Sequence, residues 1–351
     1  MLAHFTGVRV GAETVRRLTE AAGTVQVARE TAAVAALERE LPDEAAGPAV
    51  QLLSGDGAMA PLVGGAWAEV KTLAVGEVVA GADGPRTVAL SYVSRLTDAD
   101  TFGRLATAET HRRGTATAGR VVAVTDGAAW CQGFVDLHRP DAVRVLDVPH
   151  AVGHLAQAAQ AVFGPGTPAT SAWLGEQAHA LRQGQEDAVL AALAALAATP
   201  SLGAEAAAAI RGVVAYLTAR RDHIGYQAFV AAGYPIGSGC VESAHKLLVE
   251  ARVKGAGMHW ARPNVDPMLA LRTLLANGRW EQEWPALWRQ VCRSLRRTPI
   301  TRRVRPGPRP RLAPPQAPLL RPSPPPPKLV VDGKPTSDHP WKRGLALRAK
   351  T

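Results

Sequence analysis

The stretch VVAVTDGAAWCQGFVDLHRPDAVRVLD, residues 121–147, decides the fold. VVAVT is a compact apolar run of strand length, and VRVL is a second one rich in branched residues. The segment between them, AAWCQGFVDLHRP, reads as a helical crossover. Two strands joined by such a crossover pair in parallel. Upstream, VQLLSGD from Val50, AWAEVKTLAVGEVVA from Ala66 and RTVALSYVS from Arg86 are three further strand candidates with short connections. Successive strands of that kind form an antiparallel meander, which ADTFGRLATAETHRRG follows as a helix. The resulting order, β-β-β-α-β-α-β, predicts an α/β fold built on a mixed five-stranded sheet.

Downstream of residue 150 the pattern changes. Residues 150–233 are Ala-rich and helical, punctuated by FGPGTP and ATPSLG, and read as an all-α insertion. CVESAHKLLVEARVKGAG then reads as a closing helix with a small-residue entry at GSG and an exit at Gly255 and Gly257. VDPMLALRTLLANG is another, and Trp280, Trp284 and Trp288 recur at a spacing that places them on one helical face. The chain therefore divides into a short helical segment (residues 1–47), the first part of an α/β domain (48–149), the insertion (150–233), closing helices (234–298) and a Pro/Arg-rich tail (299–351). In the first segment, GVRVGAETVRRLTEAAG and VARETAAVAALERELPDE read as two helices divided near Gly23. Such a pair is either an ordinary packing unit or the remnant of a helix-turn-helix. The tail, with RPSPPPPK, has the composition of a disordered region.

Forty Lys plus Arg against thirty Asp plus Glu give a formal charge of +10, which suits a polyanionic partner. The excess is concentrated in residues 289–311, RQVCRSLRRTPITRRVRPGPRPR, with nine arginines and no acid. Such a block attracts phosphate backbones, unless it is a solvated tail without specific contacts. Cys131, Cys240 and Cys292 are isolated, which argues against a disulfide framework or a zinc knuckle. The N-terminus lacks a signal-peptide core, and the most apolar helix, AVLAALAALAA from Ala188, is too short to span a bilayer. No membrane role and a cytoplasmic location are the expectation.

Against this basic background stand three acids in small-residue settings: Asp56 in VQLLSGDG, Asp126 in VVAVTDG and Glu242 in GYPIGSGCVESAHK. Each Asp closes an apolar run and precedes glycine, which permits turn dihedrals or close backbone approach. Both DG pairs also read as plain turns. Glu242 lies in the first turn of the closing helix, four residues before Lys246, where it reads either as a surface pair or as a ligand. Three carboxylates converging at a sheet edge would hold Mg²⁺ or Mn²⁺, which prefer oxygen ligands, and two such ions serve phosphoryl transfer. Asp147 in VLDVPH either extends this acidic centre or caps the helix after it.

GDGAMAPLVGGAWAEVKTLAVG, VAVTDGAAWCQGF, VLDVPHAVGHL, YPIGSGCVESAHKLLVEARVKGAGMHW and LRTLLANGRWEQEW together resemble the DDE-type transposases of the ISKra4 insertion-sequence group. The resemblance runs from about Asp56 to Trp284, and the block around Glu242 is its most specific part. It implies a ribonuclease H-like catalytic domain with a helical insertion before the last acid, and Asp56, Asp126 and Glu242 as catalytic residues binding two Mg²⁺ or Mn²⁺ ions. It places Asp147, His150 and His245 around them. Arg252, Lys254 and Trp260 match the segment after the catalytic Glu, and with Arg296, Arg297, Arg302 and Arg303 they are expected to contact DNA. The implied partners are double-stranded DNA at element ends and target DNA, with the protein assembling as a homo-oligomer on DNA, nucleoid-associated in the cytoplasm. Where the family has two aromatics and a Glu, this chain has Val148, Pro149 and Gly153, and Val253 stands where Met is usual. The region before Asp56 is shorter than in the family, as in a truncated copy. Two alternatives remain open: a metal-dependent nuclease without strand transfer, and a non-catalytic DNA-binding remnant.

Overall fold

Alternating small and branched residues build three long strands: β1 (Val50–Pro61), β2 (Trp67–Gly81) and β3 (Gly84–Arg95). The computed structural model describes residues 10–43, 45–82, 84–199 and 202–297, together with the backbone of two short strands near residue 332. β1 pairs antiparallel with β2, and β2 with β3, as the meander reading expects. Helix α2 (Ala99–Arg112), with Asp98 accepting the Thr101 amide at its N-terminus, leads to β4 (Arg120–Thr125). Helix α3 (Ala129–His138) crosses to β5 (Val143–Leu146), and β1, β4 and β5 run parallel. The chain is thus α/β, with a mixed five-stranded sheet ordered β3-β2-β1-β4-β5.

Period-2 alternation divides the sheet's side chains between two faces. Leu53, Leu73, Val75, Val121 and Ala123 pack under Phe102 and Ala106 of α2 and Phe134 and Val135 of α3. The opposite face is covered in two halves. Leu52, Val122, Val124 and Val145 bury against helix α4 (Val148–Phe163) and the helices beyond it: α5 (Pro168–Arg182), α6 (Glu186–Ala197), α7 (Ala204–Thr218) and α8 (Tyr226–Ala231). Between α4 and the closing helix the described residues contain no strand, in keeping with an all-α insertion. Ala58, Ala60, Val70, Ala74 and Tyr92 bury instead against the closing helix and α11 (Val265–Ala276).

The closing helix is not uniform. It begins as α9 (Gly239–Ala244), passes through a π-helical turn at His245–Glu250, and ends as the short α10 (Ala251–Val253). A π-turn carries an extra residue, so the residues after it are rotated relative to Glu242. The last helix of this unit, α12 (Trp280–Arg297), stacks Trp280 on Trp284 and Trp284 on Trp288, with centroids 4.6 and 5.6 Å apart.

The two short helices expected before residue 48 are a single helix, α1 (Ala12–Arg39), and the turn expected at Gly23 does not form. Gly23 is buried, and a Cβ built on it would stand 2.2 Å from the Pro267 carbonyl oxygen. That glycine therefore serves the close crossing of α1 over α11, and the pair of helices divided at Gly23 is not formed. Gly23→Val is expected to cost about 1–3 kcal/mol by overpacking this crossing, read as a lowered urea midpoint.

Residues 299–351 form a separate unit, of which the described part is a ladder pairing Val330–Val331 with Lys334–Pro335. The rest of the Pro/Arg-rich tail lies outside the described residues. Among the described residues no helix is long and apolar enough to cross a membrane.

Candidate functional site

The parallel ladder of β1 and β4 ends at Leu53 opposite Ala123. Three residues further along each strand's path stand Asp56 and Asp126, so the same register that pairs the hydrophobic core brings the two acids side by side. Their settings differ from the sequence expectation in one respect. Asp56 does not end its strand: β1 continues to Pro61 because β2 still pairs with it, Asp56 opposite Thr72. Only the partnership with β4 has ended by then, at Leu53. The DG at Asp56 is therefore strand, while the DG at Asp126 is a true turn, with Gly127 at φ 80°. Each carboxylate is anchored locally: Asp56 Oδ1 accepts the Gly57 amide at 2.7 Å, and Asp126 Oδ1 accepts the Ala128 amide at 2.8 Å.

Glu242 is delivered by a second set of contacts. Asp147, fully buried, follows β5 and donates its amide to the Thr125 carbonyl at 2.8 Å. Its carboxylate accepts the Ser238 amide at 2.6 Å and the His150 ring Nδ1 at 2.8 Å. The Val148 amide bonds the Ile236 carbonyl. The ends of β4 and β5 are thereby tied to the loop that starts α9. Ser238 in turn donates its hydroxyl to Glu242 Oε1 at 3.3 Å. Of the two sequence readings of Asp147, helix capping is the one the structure carries, with positioning of the Glu242 loop added to it. Glu242 itself is exposed and has no salt-bridge partner among the described residues, Lys246 included.

Burial and the neighbouring charges perturb these groups together. Asp56 is pushed up to about 6, first by burial and then by the charges of Asp126 and Glu242, against the Gly57 amide and His150. The hydrogen bond to Asp147 and the charges of Asp147, Asp126 and Asp56 raise His150 above the usual imidazole range. His245 lies in the π-turn with Nδ1 3.4 Å from Asp56 Oδ2; burial lowers its pKa, and its buried Nε2 has no hydrogen-bond partner. Cys131 donates to the Gly55 carbonyl and is held as a thiol by burial and by Asp126 and Asp56.

Oxygen donors in mutual repulsion suit a hard divalent cation, which would relieve the strain on Asp56. In donor chemistry and electrostatics the residues fit such an ion. They are not drawn into a closed ligand set: among the described residues no three His, Cys, Asp or Glu side chains stand in position to hold one ion. The raised Asp56 has a consequence for stability. A carboxyl that titrates near 4 when unfolded and about 6 when folded adds stability at low pH. That stability is lost as pH rises through about 6. Asp56→Asn is therefore expected to stabilise the metal-free protein at pH 8 by about 1–3 kcal/mol, and to leave it little changed at pH 4. Thermal melts at the two pH values check this.

The residues expected on DNA form a different group. Trp260 pairs its backbone with Pro61 and Val63, at the end of β1 away from Leu53, and its indole donates to the Val253 carbonyl at 3.1 Å. Arg252 lies over its ring, 5.2 Å from the centroid, and Lys254 reaches Glu250 at 3.8 Å. Arg252, Met258 and Trp260 line a cavity of about 750 Å³ together with Val15 and Arg16 of α1, and none of the three acids borders it. Arg296 and Arg297 close α12, but their side chains, like Arg302 and Arg303, lie outside the described residues.

Two residues that the sequence reading passed over touch the acidic turn. Tyr216 on α7 and Arg220 just after it bond the carbonyls of Asp126 and Gly127. Their signal was an aromatic–cation pair four residues apart on an otherwise Ala-rich helix. Comparison with protein-family models, with curated proteins and with solved structures returned no match to this chain.

Proposed function

We propose that this chain is a DDE-type DNA transposase similar to the ISKra4 insertion-sequence group, with a ribonuclease H-like catalytic domain. The observation that carries the reading is the placement of Asp56 and Asp126 equally far past the last β1–β4 pair, with the Glu242 loop tied to the end of β4 through Asp147 and Ser238. The sheet order β3-β2-β1-β4-β5, antiparallel on one side of β1 and parallel on the other, supports the ribonuclease H-like fold. So does a helical insertion that precedes the last acid.

On this reading Asp56, Asp126 and Glu242 would hold Mg²⁺ or Mn²⁺. Two such ions, when bound, activate the attacking oxygen and stabilise the leaving one in phosphoryl transfer. In the first step water attacks a phosphodiester at the element end, forming a new O–P bond and releasing a 3′-hydroxyl. In the second, that 3′-oxygen attacks a target phosphodiester, with loss of its proton and departure of the target's own 3′-oxygen. Asp147 orients His150 through its ring Nδ1 and raises its pKa. Arg252, Lys254 and the arginine block of residues 289–311 contact backbone phosphates, which position DNA without reading its sequence.

Two assays test the reading. With pre-cleaved element ends and Mg²⁺ or Mn²⁺, the protein is expected to join the ends to target DNA. Cleavage without joining would replace transposase by nuclease, and no metal-dependent activity from folded protein would favour a DNA-binding remnant. Removing residues 299–351 is expected to weaken binding to unrelated DNAs alike and to flatten its salt dependence. Unchanged affinity across salt concentrations would remove the tail from the interface.

A further inference from the structure

We infer that the helical insertion sets the catalytic turn, with Tyr216 and Arg220 as positioning residues for Asp126; the inference rests on the catalytic reading of that acid. Asp126 sits where β4 gives way to the turn at Gly127, so its carboxylate is aimed by the backbone of Asp126 and Gly127. That backbone is held from outside its own strand. The Tyr216 hydroxyl donates to the Asp126 carbonyl at 2.7 Å, and Arg220 donates through one guanidinium nitrogen to the Gly127 carbonyl at 2.9 Å.

The clamp is itself braced. The Arg220 guanidinium lies over the Tyr216 ring, 3.8 Å from its centroid, and donates a second bond to the Tyr216 carbonyl. His154 of α4 packs against the same ring, tilted by 31° with centroids 4.1 Å apart. Arg220 forms no ion pair among the described residues, so its donors are committed to backbone carbonyls. Further along the insertion, buried Tyr226 donates to the Leu146 carbonyl at 2.8 Å, which fixes the end of β5 in the same way.

Gly127 completes the device. Its φ of 80° favours glycine, and a Cβ would stand 2.3 Å from the Tyr216 hydroxyl and 2.8 Å from Arg220 Nε. The clamp therefore closes on a turn that only glycine can offer. Nothing in the sheet supplies these contacts. The two carbonyls of the turn take their bonds from the insertion, some ninety residues away in sequence from Asp126, while the Gly127 and Ala128 amides bond locally to the Thr125 hydroxyl and the Asp126 carboxylate.

The test compares Tyr216→Phe, Arg220→Ala and Arg220→Lys with the parent protein. Tyr216→Phe removes one hydroxyl and keeps the ring, so folding is preserved. The first readout is amide hydrogen exchange of a peptide covering residues 125–130. It is expected to exchange about tenfold faster in Tyr216→Phe and in Arg220→Ala, roughly the loss of one hydrogen bond. The rest of the sheet should not change, and Arg220→Lys should fall between parent and Ala. The second readout is Mn²⁺-dependent strand cleavage, where kcat is expected to fall about tenfold with KM for DNA unchanged.

Parent-like exchange at residues 125–130 in both Tyr216→Phe and Arg220→Ala would overturn the clamp. Faster exchange with kcat unchanged in an active enzyme would overturn the positioning role. If the parent protein shows no metal-dependent cleavage, the transposase reading falls by itself and the catalytic part of the inference falls with it. The exchange data then judge the clamp alone.

Discussion

Glu242→Gln is expected to lose about three orders of magnitude or more of metal-dependent strand cleavage while binding DNA as before. A thousandfold loss corresponds to about 4 kcal/mol of transition-state stabilisation, the scale at which an electrostatic contact at the reacting phosphate acts. The substitution keeps the shape of the side chain and removes only its charge. Because Glu242 is exposed and bonded only to the Ser238 hydroxyl, stability should change by less than about 0.5 kcal/mol. Asp56→Asn and Asp126→Asn should lose cleavage to a similar degree, yet Asp56→Asn should gain stability where Glu242→Gln does not. The contrast separates a catalytic loss from a folding defect. Cleavage of labelled element-end DNA, with affinity measured without metal, reads both quantities. Cleavage by Glu242→Gln at the parent rate would end the assignment.

Much of this site was legible from sequence because its geometry follows from strand order. Once β1 and β4 are parallel neighbours, two acids that close apolar runs of matching length must meet. Strand order and that length are local properties of VQLLSGD and VVAVTDG. The same locality misled at two places. A strand's end depends on all its partners, and Asp56 lies past the end of one ladder but inside another. Gly23 resembles a helix break only when α11 is left out of view, since the glycine answers to the Pro267 carbonyl. Tyr216, Arg220 and Ser238 act through contacts far away in sequence or through a loop hydroxyl, for which no periodic pattern exists. The π-turn is likewise silent in sequence: HKLLVE has ordinary helix formers, and the widened turn is seen only in the backbone.

Asp147→Ala is expected to be the most destabilising change near the site, at about 3–5 kcal/mol. Three interactions are lost together: the cap on α4, the bond to the His150 ring, and the acceptor for the Ser238 amide. A cap is worth about 1 kcal/mol, and a buried donor left unpaired costs about 1–3 kcal/mol more. The pH dependence identifies the cause. Burial alone would raise this carboxyl, but the His150 ring, the Ser238 amide and the His150 charge hold it below the usual range. Its stabilising contribution is therefore present above the unfolded carboxyl value of about 3.9 and is lost as pH falls further. Asp56 acts with the opposite sign, taking stability away as pH rises through about 6. His150, raised by the same pair, stabilises below about 6.5 and ceases to do so as pH climbs through its folded value. In Asp147→Ala the acid limb below pH 4 should flatten and the His150 component should shrink to what the charges of Asp126 and Asp56 sustain, while the Asp56 slope should persist. Urea unfolding between pH 3 and pH 9 resolves the three windows. A variant within about 1 kcal/mol of the parent at pH 7 would mean that the loop carrying Glu242 is held by something other than Asp147.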